Sequence, residues 1–145
     1  MRLAFLLLTI FLLACTSTRE ELSLYDVYSD YKSHANQDNI LGSYTQYFSP
    51  SLTDGEIPDE SSIPFLLFKD KMSVERNHYA KMLGKDTGCL TIDGIDNETG
   101  DPIEFNIQYA FIDGTWYIAS TNIRFLESSD EYSNAAKCPS ETIIQ

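Results

Sequence analysis

Residues 102–125, PIEFNIQYAFIDGTWYIASTNIRF, decide the fold of this chain. From 103 to 111 apolar side chains occupy every second position, which is the period of a β-strand with one buried face. Asp113-Gly114 follows, and this pair is preferred in two-residue hairpin turns. Residues 115–125 then return as a second strand. The stretch predicts a long antiparallel hairpin.

The turn also predicts which residues of the two strands face each other. Across a two-residue turn the numbers of opposed residues have a constant sum, so Phe111 faces Trp116 and Tyr109 faces Ile118. Aromatic and aliphatic pairs of this kind stabilise one face of a sheet. The near end of the hairpin therefore has a continuous apolar face.

Polar residues interrupt this face further along the second strand. The same register would place three of them opposite apolar residues: Ser120, Asn122 and Arg124. One explanation is a β-bulge near Ser120 that exchanges the faces and sends Ile123 and Phe125 inward. The other is that the three polar residues line the polar end of a pocket. We favour the bulge.

Helical periodicity precedes the hairpin. Residues 20–34 carry an aromatic stripe on one helical face, and 40–48 repeat that spacing. Ser73 is a suitable N-cap for a third helix over 74–83, with Gly84 just beyond its end. The aromatic stripe predicts core packing, and its members are Leu24, Tyr25, Tyr28 and Tyr31.

The remaining segments complete the predicted order of elements. Residues 63–68 are apolar and fit either a strand or a buried helical turn, whereas alternation from residue 88 onwards indicates a strand. Helices followed by strands indicate an α+β fold, with N-terminal helices packed on one face of a curved antiparallel sheet. We expect this domain to span 20–126 and residues 127–145 to form a polar C-terminal tail.

This order, with the aromatic strand and the Asp-Gly-Thr-Trp-Tyr turn at 113–117, is similar to the nuclear transport factor two-like (cystatin-like) superfamily. The resemblance covers about residues 20–126 and implies a cone-shaped fold with a curved sheet around a cavity. Some members are isomerases or dehydratases that use an Asp or His in the cavity, and many others only bind or dimerise. No catalytic position of that superfamily matches a residue of this chain.

The N-terminus has the form of an export signal. Met1-Arg2 is followed by an apolar run to Ala14 that is too short to span a bilayer. The run ends in Leu12-Leu13-Ala14-Cys15, which resembles the lipobox of bacterial lipoproteins. The resemblance implies a signal peptide at 1–14, a lipidated Cys15 and a short tether at 15–19. Since Thr16 is not Asp, it also implies the outer membrane, facing the periplasm, rather than the inner membrane.

Two further cysteines, Cys89 and Cys138, remain after such processing. Exported chains enter an oxidising compartment, so a disulfide is the interpretation we favour over two separate buried thiols. No Cys-x-x-Cys motif indicates a zinc or redox site, and His34 and His78 have no metal-ligand spacing. We therefore expect no metal and no cofactor.

The chain carries a formal net charge of −12, which argues against nucleic-acid binding. Its basic residues are concentrated in one segment, which is either a solvated helix face or a docking face for an acidic protein or for lipid headgroups. The segment contains Lys69, Lys71, Arg76, Lys81 and Lys85.

These features predict a lipid-anchored envelope protein that is a non-enzymatic binding or accessory module, held to the bilayer by acyl chains on Cys15. One form of this hypothesis is an inhibitory or immunity lipoprotein whose acidic surface blocks a basic toxin or hydrolase. The alternative is a small cavity lyase or isomerase, which requires a carboxylate or histidine with a shifted pKa inside an apolar cavity. The sequence assigns no catalytic residue.

Overall fold

The computed structural model describes residues 23–141, so the predictions for the signal peptide, Cys15 and the tether lie outside the described residues. The described chain is α+β and mostly β. Four antiparallel strands form one open sheet in chain order, preceded by short helices. The strands are β1 (Met72–Met82), β2 (Thr87–Asp96), β3 (Pro102–Ile112) and β4 (Thr115–Phe125).

The β3–β4 hairpin follows the predicted register near its turn. Asp113 and Gly114 have φ angles of 49° and 86°, the left-handed conformation that a turn this short requires. Phe111 pairs with Trp116, and their ring centroids lie 5.0 Å apart. The local turn chemistry therefore fixes the alignment of both strands.

The predicted bulge in β4 is confirmed. The pairing shifts by one residue between Gln108 and Tyr109, which leaves Ala119 as the extra residue. Beyond the bulge Ile123 packs against the core, as predicted. Phe125 does not follow it into the core, because it lies at the end of the strand and remains 62% exposed.

The predicted helix over 74–83 is wrong, because these residues form most of β1. The strand runs antiparallel to β2, from Met72 opposite Asp96 to Met82 opposite Gly88. Pairing along a sheet edge outweighs local helix propensity here. Gly84, with φ of 103°, lies in the β1–β2 turn instead of at the end of a helix.

Helix α1 (Leu24–His34) agrees with the predicted first helix within the described residues. Its N-terminus has a reciprocal cap, in which the Asp26 amide donates to Ser23 Oγ at 3.1 Å. The Asp26 carboxylate accepts from the Ser23 amide at 3.0 Å. Caps of this kind are worth about 1 kcal/mol.

The other helices are short. Helix α2 (Ile40–Ser43) continues as a 3₁₀ turn at Tyr44–Gln46, which is shorter than the predicted helix over 40–48. The chain then turns to place Phe48 in a parallel bridge with Ile118 at the outer edge of β4. Helix α3 (Ile63–Leu66) shows that the ambiguous apolar segment is helical. The remaining 3₁₀ turns are Glu60–Ser62, Phe68–Lys71, Ser129–Glu131 and Pro139–Glu141.

One buried cluster joins side chains of α1 to side chains of β2 and β3. Phe68 lies between the two groups, with its ring 5.5 Å from that of Tyr31 and 5.4 Å from that of Phe105. Each fully buried side chain of this size contributes about 1.5–3 kcal/mol to folding. The cluster includes Leu24, Tyr28, Leu90, Ile92, Ile107 and Tyr109.

The C-terminal segment 132–141 lies over the face of the sheet that carries Thr91 and Glu104. The Tyr132 hydroxyl donates to the carbonyl oxygen of Gly94, and the Lys137 amide donates to Thr91 Oγ1 at 2.8 Å. We call this segment the C-terminal cover. Strand β2 is buried along most of its length, because it contributes side chains both to the aromatic core and to the face beneath this cover. No helix between residues 23 and 141 is long and apolar enough to cross a membrane.

Candidate functional site

The Cys89–Cys138 pair forms a disulfide, with a Cα–Cα separation of 5.2 Å. Both residues are buried, and the bridge attaches the C-terminal cover to β2 near the beginning of that strand. Closure of a loop with a sequence separation of 49 stabilises the fold by about 4 kcal/mol in the chain-entropy treatment. The disulfide therefore holds the cover over the residues beneath it.

A cluster of polar side chains lies beneath this cover, and we call it the buried polar cluster. Glu104 is fully buried at its centre and accepts a hydrogen bond from Arg124 at 2.7 Å. Its carboxylate also accepts from the side-chain amide of Asn106 at 2.9 Å and from the backbone amide of Ser133 at 2.7 Å. The other members of the cluster are Thr91 and Asp93.

These contacts decide the charge state of Glu104. Burial alone would raise the pKa of its carboxyl group, but the hydrogen bonds from Asn106, Ser133 and Arg124 outweigh burial and hold the pKa below its usual value. Glu104 is therefore ionised at neutral pH. The Glu104 side chain of this ion pair is fully buried and the Arg124 side chain is 28% exposed, so loss of Arg124 would leave a buried carboxylate without its cation, which is costly.

Asp93 pairs with Glu104 across β2 and β3, but its carboxylate, as far as the structure describes the chain, lacks the hydrogen bonds that stabilise the charge of Glu104. It is fully buried, and neither carboxylate oxygen has a hydrogen-bond partner among residues 23–141. Burial, reinforced by the charge of Glu104, raises the pKa of Asp93 to about 6, although Arg124 acts in the other direction. Asp93 is thus the group in this cluster that changes charge near neutral pH.

The arrangement limits what the buried polar cluster can do chemically. A general acid or base must reach a substrate, whereas both carboxylates are fully buried and the Ser133 backbone amide donates to Glu104. In the described part of the chain no set of His, Cys, Asp and Glu side chains could hold a metal ion. The cluster therefore links the sheet to the C-terminal cover through hydrogen bonds whose strength depends on the charge of the buried carboxylates.

The residues predicted to line a pocket lie on this same polar face. Ser120 pairs with Gln108, Asn122 with Asn106, and Arg124 with Glu104. The bulge at Ala119 places all three on the face opposite the aromatic core. Arg124 contributes to the buried polar cluster. Ser120 and Asn122 line neither the cleft beside α1 nor the cavity within residues 52–66.

The predicted basic segment is not a helix face. Lys81 pairs with Glu141 of the C-terminal cover at 2.8 Å, and Lys69 pairs with its neighbour Asp70 at 2.6 Å. Arg76 lies on β1 within a bulged region. The segment is spread along a sheet edge and its two turns, with Lys71 before β1 and Lys85 after it. Its role as a docking face stays a prediction.

A cleft of about 350 Å³ lies between α1 and the β3–β4 turn, and we call it the hairpin cleft. Its walls combine aliphatic and aromatic side chains with two carboxylates, Asp26 and Asp30, from successive turns of α1. A second cavity, of about 430 Å³, lies within the segment 52–66, which ends in helix α3. The hairpin cleft is lined by Asp26, Val27, Asp30, Tyr31, Gln46, Tyr47, Gly114, Thr115, Trp116 and Ile118.

Sequence reasoning missed both the buried polar cluster and the hairpin cleft. The alternation in β2 marks Asp93 as a residue that faces away from the aromatic core, but it does not show that this face is covered. Cys138 was the available signal, because a bridge to Cys89 must bring the C-terminal residues onto β2. No protein-family model matches this chain, and no curated protein matches it.

Proposed function

We propose that this protein is a lipid-anchored bacterial envelope lipoprotein whose folded part is a non-enzymatic binding module. The observation that carries the proposal is the buried Cys89–Cys138 disulfide, because disulfides persist in oxidising compartments outside the cytosol. The disulfide therefore supports export from the cytosol, as does the lipobox-like sequence that ends at Cys15. The two features are independent, since one lies in the folded domain and the other in the N-terminal segment.

In this proposal the acyl chains on Cys15 provide the membrane attachment, and the module faces the periplasm from the outer membrane. The net charge of −12 would repel anionic headgroups, so surface charge cannot replace the lipid. Seven residues lie between Cys15 and Ser23, and the eight Cα–Cα steps that join them span at most about 29 Å when the chain is fully extended. The module therefore remains close to the bilayer.

We further propose that α1 packs on one face of a curved sheet, as the resemblance to the nuclear transport factor two-like superfamily implies. Contacts of Tyr31 with Phe68 and of Phe68 with Phe105 support this arrangement. The core side chains that α1 shares with β2 and β3 are fully buried, and the cleft beside them is open to solvent at the hairpin turn. A binding module is favoured over the cavity lyase or isomerase, because the carboxyl group with a raised pKa, Asp93, is buried beneath the C-terminal cover and does not line the hairpin cleft.

The test of the anchor is substitution of its attachment atom. Cys15→Ser, expressed in a bacterial host with an alkyne-labelled fatty acid, is expected to lose the label and to leave the membrane fraction. Thr16→Ser is the matched control, because it changes the neighbouring residue and keeps the thiol. Equal labelling and equal membrane association of both variants would contradict lipid anchoring at Cys15.

A further inference from the structure

We propose that the hairpin cleft binds an arginine side chain that a basic protein partner presents. This deepens the proposed function, since it names the ligand chemistry of the binding module and rests on that module being a binding protein. The cleft is large enough for a long side chain, with a volume of about 350 Å³. Its position beside the exposed turn of the β3–β4 hairpin leaves it accessible to a partner.

The walls of the cleft suit the apolar stem and flat head of an arginine. Ile118 and Tyr31 are buried and form its floor, while Tyr47 and Trp116 are partly exposed. Guanidinium groups stack on aromatic faces, and Trp is the most favourable ring for a cation. An ammonium group gains less from such a flat surface, which favours arginine over lysine.

The charges of the cleft are all of one sign. Asp26 and Asp30 line it, and no basic side chain does. Hydrogen bonds from the Ser23 hydroxyl and amide hold the pKa of Asp26 below its usual value, so this carboxylate is ionised at neutral pH. The His34 ring, 3.1 Å from the Asp30 carboxylate, is the nearby group that could compete for it.

Charge complementarity identifies the partner as a basic protein. The chain as a whole has a net charge of −12, which steers cationic surfaces towards it and repels acidic ones. Tyr, Trp and Arg are also the residues that contribute most to binding at protein interfaces. An arginine inserted between Tyr47 and Trp116 would combine both effects at one point.

The test uses the full-length chain and a built-in reporter, because Trp116 is the only tryptophan in the sequence. Its fluorescence is followed during titration with acetyl-Gly-Arg-Gly-amide and, separately, with the same peptide carrying citrulline. Citrulline keeps the shape of arginine and removes its charge. We expect a saturable change with the arginine peptide and a much weaker one with the citrulline peptide.

Two matched variants locate the binding. Asp30→Asn is expected to lower the affinity for the arginine peptide by about fivefold, which is the effect of losing one exposed ion pair. Glu127→Gln removes the same charge from an exposed position beyond the far end of β4 and is expected to change nothing. Equal binding of both peptides, or equal weakening by both variants, would overturn the proposal.

The same titration on Cys15→Ser separates this inference from the proposed anchor. Retained peptide binding in a variant that stays in the membrane fraction would contradict only the lipid anchor. Absent peptide binding in a wild-type chain that is lipid-labelled would contradict only the arginine site.

Discussion

Replacing Asp93 by asparagine should change the pH dependence of folding more than its stability at acidic pH. Asp93 is fully buried, with no hydrogen-bond partner for its carboxylate among the described residues, and faces Glu104 across the sheet. Asparagine has nearly the same shape and carries no charge. The substitution therefore removes the titration and leaves the packing beneath the C-terminal cover largely unchanged.

The magnitude follows from the pKa of Asp93, which is about 6 in the folded chain and 3.8 as its ordinary value. Because the folded pKa is raised, the folded state binds the proton more tightly than the unfolded state does. The contribution of Asp93 to folding is most favourable below pH 4 and falls as the pH rises through 6. Two pKa units correspond to about 3 kcal/mol, which is the penalty expected at pH 7.5.

The assay is urea denaturation of wild type and Asp93→Asn at pH 4 and pH 7.5. We expect the variant to be more stable than wild type by about 3 kcal/mol at pH 7.5 and nearly equal to it at pH 4. Asp101→Asn is the control, since Asp101 is exposed and its substitution should leave both values unchanged. A constant difference between wild type and Asp93→Asn across this pH range would refute the reasoning.

Three further substitutions test other parts of the structure. Cys138→Ser should lower the free energy of unfolding by about 4 kcal/mol in urea, and a reductant should then have no additional effect. Gly94→Ala should cost about 3 kcal/mol in thermal denaturation, because a Cβ there would lie 2.3 Å from a backbone oxygen, whereas Gly42→Ala meets nothing within 4 Å and should be tolerated. Arg124→Met should destabilise the protein by about 3 kcal/mol at neutral pH, because Glu104 remains buried and charged without its cation, and the loss should shrink when acid protonates Glu104.

The β3–β4 hairpin was predictable because its information is local. Asp113-Gly114 determines the turn, and the alternation on either side determines which residues face the core. The bulge at Ala119 was also predictable, because Ser120, Asn122 and Arg124 would otherwise lie on the apolar face. Here a conflict between register and polarity pointed to the irregularity that resolves it.

The rest of the fold depends on contacts distant in sequence. Strand β1 has mostly exposed side chains, so its residues show little of the alternation that burial imposes, and its conformation comes from pairing with β2. The hairpin cleft combines Asp30 of α1 with Trp116 of β4, and these residues are too far apart in the sequence for a local pattern to connect them. The buried position of Asp93 depends in the same way on Tyr132, nearly forty residues away.

The C-terminal cover has a consequence for the order in which the protein matures. Tyr132 and Cys138 follow all four strands, so a polypeptide that emerges amino end first exposes the completed sheet to water before these residues arrive. During that interval Asp93 and Glu104 are hydrated, and the Cys89 thiol is accessible to an oxidant. A chain that has formed the sheet but lacks the C-terminal cover would therefore expose two carboxylates and a free thiol on this face, and we expect closure of the cover to be a late step of folding.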